Sequence, residues 1–410
     1  MTARWGRLSR VKGPLVTRPF LILAGLSTVA LALTMWRELT GLGYVTGLND
    51  GYSWGLFKNV NVTTLTALGS GGYAVAVLVW LFDLRQFHPI LRTAVLTSLL
   101  GYSAGMLALG ADVGRPWNFV WIVDPRRWNQ HSVLLEVAVC MTSYVLLALH
   151  VENMPPVLER IYLHSSSLRR RTLALGTFHV LQRTYPFGVA LAFVLPSMHQ
   201  SSLGSLMYLA GPRVHPLWQT PLLPLFYLLM AYILGFTCVV LVLMLSSLAW
   251  RLGLDTELLG ELSSIASWMT LGWLALRIGD LAYRDVLGLA FRLDEYSLFF
   301  LPEVLLLLIP ALGLRVRRWR MRPAALFRLN LVLTCGGLYY RYAPTTMAFM
   351  PGEHYVYFPS VAEILMTLGF VALAVLGFLV CVKHFAILPE PAVRLAADAG
   401  GAAVAPFSTL

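Results

Sequence analysis

Runs of apolar residues about twenty positions long recur along the chain, set apart by short polar and basic segments. Coiled as a helix, such a run crosses the ~30 Å hydrocarbon core of a bilayer. The pattern predicts about ten spans, near 19–37, 60–82, 89–111, 130–152, 175–197, 222–249, 264–284, 297–314, 325–342 and 359–384. Arg183 and Arg277 interrupt the fifth and the seventh. The first span follows the basic stretch "RWGRLSRVKGPLVTR". It has no small-residue cleavage site after it and a longer apolar core than most signal peptides, so it reads as a retained helix. The expected fold class is all-α, a polytopic membrane protein of about ten transmembrane helices with both termini cytoplasmic. A basic arm at 1–18 precedes one transmembrane domain at 19–384, and a mobile cytoplasmic tail follows at 385–410.

Composition strengthens this reading. Hydrophobic residues make up 58% of the 410 and charged residues 12%, with mean hydropathy +0.69. A soluble chain carries roughly a quarter charged residues. The net charge of +11 acts first as a topology signal, because with the N-terminus inside about 21 of the 31 basic residues fall on cytoplasmic segments. Those basic residues are spread over short loops rather than gathered on one soluble face, so no nucleic-acid partner is expected. Cys140, Cys238, Cys335 and Cys381 all fall within spans without a CxxC spacing, and read as small buried hydrophobes. No Gly-rich phosphate loop precedes a helix, and no Ser-His-Asp arrangement is recognisable. The run "GSGGY" at 69–73 reads as a site of close helix packing.

The ionisable residues inside the spans are the informative exceptions. Glu136 stands about two turns into the fourth apolar run, where a carboxylate is costly and tends to mark a proton or substrate path. Its plainer reading is a pair with Arg115 or a protonated, hydrogen-bonded group. Asp112 and Arg115 lie in "GADVGRPWN" at the outer end of span three, where a cap or an ion pair is the plain alternative. His199 and Gln200 end span five, and a histidine there either anchors a loop or titrates near neutrality. Arg277, Asp280 and Arg284 share a helix face, and the first two read most simply as a structural pair. Glu303 and Glu363 are again near outer ends, and Tyr102 sits mid-span, where its hydroxyl needs a partner. The distribution points to a polar pocket open toward the outer leaflet. His150 and His179 are the one pair at matched depth that haem ligation would need; they lie near a basic rim, and no haem is expected.

The motifs "LNDGYSWGLF", "RQFHPILR", "SLLGYSAG", "DVGRPWN", "HSVLLEVAVCMT", "LPSMHQSSLGSLM", "VHPLWQ", "RIGDLAYRD" and "YFPSVAEILMTLGFVA" occur in that order from the first span to the tenth. In them the chain resembles the NrfD family of quinone-interacting membrane subunits, most closely those serving periplasm-facing nickel–iron uptake hydrogenases. The resemblance implies two packed four-helix bundles plus flanking helices in a bacterial inner membrane. It also implies menaquinone or a similar quinone as the cofactor, with no haem or iron–sulfur cluster in this chain. The implied partners are a ferredoxin-like iron–sulfur subunit on the periplasmic face, a NiFe hydrogenase catalytic dimer, and membrane lipid. Carried over by motif, Tyr102, Glu136 and His199 would serve quinone chemistry or its proton supply. Asp112, Arg115, Arg277 and Asp280 would line or support the pocket. Two departures stand out: span six, "FTCVVLVLMLSS", lacks the acid of some relatives, and Asp280 stands where Glu is frequent.

Quinone reduction takes two electrons and two protons, so Glu136, with its pKa raised by desolvation, is expected to supply or relay a proton. Below it Cys140, Ser143, Leu147 and His150 continue one helix face toward the cytoplasm as a broken line, more simply packing than a proton wire. The same role in a molybdenum oxidoreductase or multihaem cytochrome complex is the nearest alternative. A secondary transporter or a di-haem quinone enzyme would be a different class, and neither midplane broken helices nor repeated halves are evident.

Overall fold

The computed structural model describes residues 5–113 and 115–391, with side chains described over 8–113, 115–146 and 150–390. Gly114, the side chain of Leu147 and the tail from residue 392 lie outside it. Among the described residues, ten long helices lie at the positions of the ten expected spans. They are α1 (Arg18–Thr40), α2 (Leu56–Trp80), α3 (His88–Asp112), α4 (Val133–His164), α5 (Leu168–Leu209), α6 (Leu223–Trp250), α7 (Thr256–Tyr283), α8 (Glu295–Arg315), α9 (Pro323–Tyr342) and α10 (Val361–His384). Among the described residues, seven helices are long and apolar enough to cross a membrane. The remainder are α5 and α7, interrupted by Arg183 and Arg277, and α9, which carries Arg328 and Arg341.

Local chemistry sets the ends. Thr17 Oγ1 accepts from the Phe20 amide (3.4 Å) and Pro19 follows at the first turn, so α1 starts there. It stops at Gly41, whose φ of 97° a side chain would resist. Two helices are locally widened. α2 holds a π-helical segment at Asn59–Thr64, and α4 one at Tyr144–Leu149, before a turn at Asn153 and the pair Pro155–Pro156.

Helices α2, α3, α4 and α5 pack around one another, and α6, α7, α8 and α9 form a second such group. α1 lies along α10, which itself packs on α2 and α3. The groups meet along α5 and α6, and again where α2 crosses α6. A Cβ on Gly235 would stand 2.6 Å from the Gly71 nitrogen and 2.7 Å from the Ser70 carbonyl carbon, so only glycine permits this approach. The "GSGGY" run therefore does pack closely.

A two-stranded antiparallel sheet joins the chain ends, β1 (Trp5–Ser9) pairing with β2 (Leu388–Pro391), with Ser9 opposite Leu388. The arm and the tail, expected as separate segments with the tail mobile from 385, are thus linked through 391. The Lys383 ammonium adds a bond to the Lys12 carbonyl (2.8 Å). The sheet marks one end of the bundle, the sheet end. Loops 41–55, 115–132, 210–222, 284–294 and 343–360 gather at the opposite, far end.

Candidate functional site

The π-helical turn of α2 is where polar groups converge. Asn59, Asn61, Thr63 and Thr66 are all buried there, although an apolar core would be cheaper. Their side chains bond mostly to their own helix. Thr63 Oγ1 donates to the Asn59 carbonyl (2.5 Å), Thr66 Oγ1 to the Val62 carbonyl (2.5 Å) and Asn61 Nδ2 to the Phe57 carbonyl (3.1 Å). The Thr63 carbonyl receives a visitor from α9, the Arg341 guanidinium, at 3.1 Å.

Arg341 organises the site. It is fully buried, donates to Gln200 Oε1 (2.7 Å) and to the Tyr227 carbonyl, and stacks 4.6 Å over the Tyr227 ring. Gln200 in turn donates from Nε2 to the Tyr102 hydroxyl (2.9 Å) and to Thr66 Oγ1 (3.2 Å). Five helices, α2, α3, α5, α6 and α9, are tied through these bonds. Among the described residues no carboxylate stands within ion-pair distance of Arg341, so its charge is balanced only by dipoles.

His199, beside Gln200 on α5, packs its ring against Tyr102 with centroids 5.4 Å apart. Its Nδ1 lies 3.2 Å from the Val137 carbonyl of α4. A carbonyl can only accept, so a neutral ring bonded there carries its proton on Nδ1 and presents Nε2 as an acceptor. Nε2 is buried and has no partner among the described residues. Tyr102 also meets Tyr144 edge-on at 4.8 Å. Of the residues singled out by sequence, Tyr102 and His199 are brought together.

Glu136 is not in that cluster. Ser132 caps α4 by accepting from the Leu135 amide (3.3 Å), which puts Glu136 in the first turn rather than two turns inside. Its side chain is exposed on the helix surface rather than buried in the bundle. The helix N-terminus favours a carboxylate there. Asp112 and Arg115 do not support each other. Asp112 pairs with Lys58 (2.7 Å) and Arg37 (3.3 Å), while the chain leaves α3 in extended conformation at Val113 and carries Arg115 to an exposed position. Arg277 and Asp280 also part company. Arg284, one turn on, donates to Asp280 from Nε (3.0 Å) and Nη2 (2.8 Å), and Thr220 adds 2.8 Å. Arg277 instead faces Glu303 at 3.7 Å, inside a ring of Phe226, Trp273, Phe300 and Tyr340. Glu303 accepts from Trp218 Nε1 (2.7 Å). Glu363 clamps the far-end loops, accepting from the Gly47 and Phe57 amides (each 3.2 Å) and from the Tyr357 hydroxyl (2.9 Å).

Arg341 was not singled out by sequence, and its tie to Gln200 joins the two helix groups. The only signal was an arginine in the last turn of an apolar span. That usually reads as a side chain reaching for the interface.

Residues 44–343 match the family described as Polysulphide reductase, NrfD. The chain belongs to the NrfD family. Its membership covers α2 to α9, hence every helix that contributes to the Arg341 network. This NrfD chain is 39% identical over 381 residues to the probable Ni/Fe-hydrogenase 2 b-type cytochrome subunit of Escherichia coli (strain K12), covering 92% of this chain and 94% of that one. It is 30% identical over 384 residues to the menaquinone reductase, integral membrane subunit, of Nitratidesulfovibrio vulgaris, covering 86% and 87%. Like its family, this chain is a multi-pass membrane protein.

The first relative's name corrects one expectation. A protein similar over 92% of this chain is called a b-type cytochrome subunit, so the expectation of a chain without haem is overturned. A bis-histidine haem needs two imidazoles facing each other across the macrocycle. His150 and His179 are both exposed, with His150 Nδ1 2.6 Å from the Val145 carbonyl. His199 is held against Tyr102, and His215 stacks on Tyr296 at 4.2 Å. In this packing these imidazoles do not fit a bis-histidine haem.

Proposed function

We propose that this NrfD chain is the quinone-binding membrane subunit of a respiratory oxidoreductase in a bacterial inner membrane. It would pass electrons between a ferredoxin-like iron–sulfur subunit and menaquinone. One observation carries the reading: the buried, unpartnered His199 Nε2 beside Tyr102, next to the uncompensated charge of Arg341. The names of the two relatives, a hydrogenase subunit and a menaquinone reductase subunit, favour the same role. The donor side is a NiFe hydrogenase in the reading the first relative supports.

The basic bias puts the sheet end in the cytoplasm and the far end in the periplasm, where the iron–sulfur subunit docks. A quinone takes two electrons from that partner and two protons from the protein side to become a quinol. Negative charge building on its oxygens is favoured by Arg341, acting through Gln200 in a low-dielectric site. Tyr102, oriented by Gln200, hydrogen-bonds one carbonyl. His199 accepts a quinol hydroxyl at Nε2, or donates there when protonated. Glu136, one residue from the Val137 carbonyl that holds His199, exchanges protons with the medium from its exposed position.

Electron transfer from reduced donor to a short-chain menaquinone analogue tests this in the intact complex. Tyr102→Phe should lower turnover about 100-fold, the scale of a positioned proton donor, while assembly persists. Undiminished turnover in that variant would remove Tyr102 from the site.

A further inference from the structure

At the sheet end, the last turns of α4 and the first turns of α5 enclose a cleft of about 630 Å³, closed at one side by Phe385. Its lining is sorted by depth. Arg160 and His164 on α4, with Arg170 in the first turn of α5, stand at the mouth. Val157 on α4 and Leu173, Ala174 and Thr177 on α5 form the floor, one or two turns further into the bundle. Positions 170, 173, 174 and 177 fall on one face of α5, so the amphipathic wall is written into its sequence.

The positive charge at the mouth is uncompensated. Among the described residues, no carboxylate lies within ion-pair distance of Arg160, His164 or Arg170, and the nearby Glu159 is taken by Arg92 at 2.7 Å. Arg160 is held in place by its bond to the His384 carbonyl (3.1 Å) and by the Phe385 ring 5.5 Å away. Ser167, at the N-cap of α5, makes no side-chain cap bond, so no capping acceptor competes for the first-turn amides beside Arg170.

From this arrangement we infer that the cleft is a binding site for one anionic phospholipid. Its phosphate sits among Arg160, His164 and Arg170, and an acyl chain lies against Val157 and Leu173. Charge complementarity selects an anionic over a zwitterionic headgroup. The apolar floor selects a lipid over free phosphate, which would leave that floor empty. None of these residues belongs to the Arg341 network, so the site serves anchoring and not electron transfer.

The test uses the purified, delipidated full chain, titrated with phosphatidylglycerol, phosphatidylcholine or inorganic phosphate and read by native mass spectrometry and thermal shift. One retained phosphatidylglycerol and a raised midpoint are expected, with no response to the other two. Arg170→Glu is exposed and makes no structural bond among the described residues, so it should fold and bind phosphatidylglycerol about tenfold more weakly. Arg169→Glu, adjacent but outside the cleft, should bind as the wild type does. Equal losses in both variants would reduce the effect to general surface charge and overturn the site. A response to inorganic phosphate alone would overturn the lipid assignment.

Discussion

His199 has two ring nitrogens with different fates, and that asymmetry is the basis of the functional reading. Nδ1 is committed to a helix carbonyl and Nε2 is left buried without a partner. An orphaned acceptor in a membrane interior costs about 1–3 kcal/mol, which a bound hydroxyl would recover. Tyr102 and His199 were legible in the sequence because a polar side chain in an apolar run demands a reason. Arg341 and the placement of Glu136 were not legible. The first depends on which neighbours a long side chain reaches, and the second on where α4 begins, a boundary set by the Ser132 cap. Glu136 is now expected to affect proton exchange rather than binding. Glu136→Gln should lower donor-to-quinone turnover about 10-fold or more, while quinol-analogue affinity stays within about 2-fold. Turnover and affinity falling together would place Glu136 in the pocket after all.

The helices as elements were read well from the apolar runs, since each run must satisfy its own backbone in lipid. The π-helical turns in α2 and α4 were not, because one added residue per turn leaves no compositional trace. The turn in α2 matters for the site, since it presents the Thr63 carbonyl to Arg341. The crossing of α2 and α6 is an element-level constraint with a direct test. Gly235→Ala places a methyl against the backbone of Ser70 and Gly71, which neither helix can yield cheaply. It should cost about 1–3 kcal/mol, the scale of overpacking, and lower the thermal midpoint. It should also loosen quinol-analogue binding, because Gln200 and Arg341 approach each other from the two groups that this crossing joins. A midpoint equal to the wild type would mean the crossing is looser than described.

Over the whole molecule, the charge pattern predicts the orientation, and the sheet fixes which loops share an end. Ser166 lies in the loop before α5 at the sheet end, and Glu353 in the loop before α10 at the far end; both are exposed. In a chain whose four cysteines are replaced, Ser166→Cys should label only from the cytoplasmic side and Glu353→Cys only from the periplasmic side. The reverse result would put the iron–sulfur partner on the wrong face for this proposal. On the proposed function, the Arg341 network would hold a quinone between the two helix groups that its bond to Gln200 ties together.

The most direct measurement of that claim is a titration of a quinol-analogue inhibitor on the purified complex, wild type beside His199→Leu. The account predicts saturable binding in the wild type and a loss of about tenfold or more in the variant, as its lone acceptor goes. Equal affinity in the two proteins would mean that the quinone does not sit at His199.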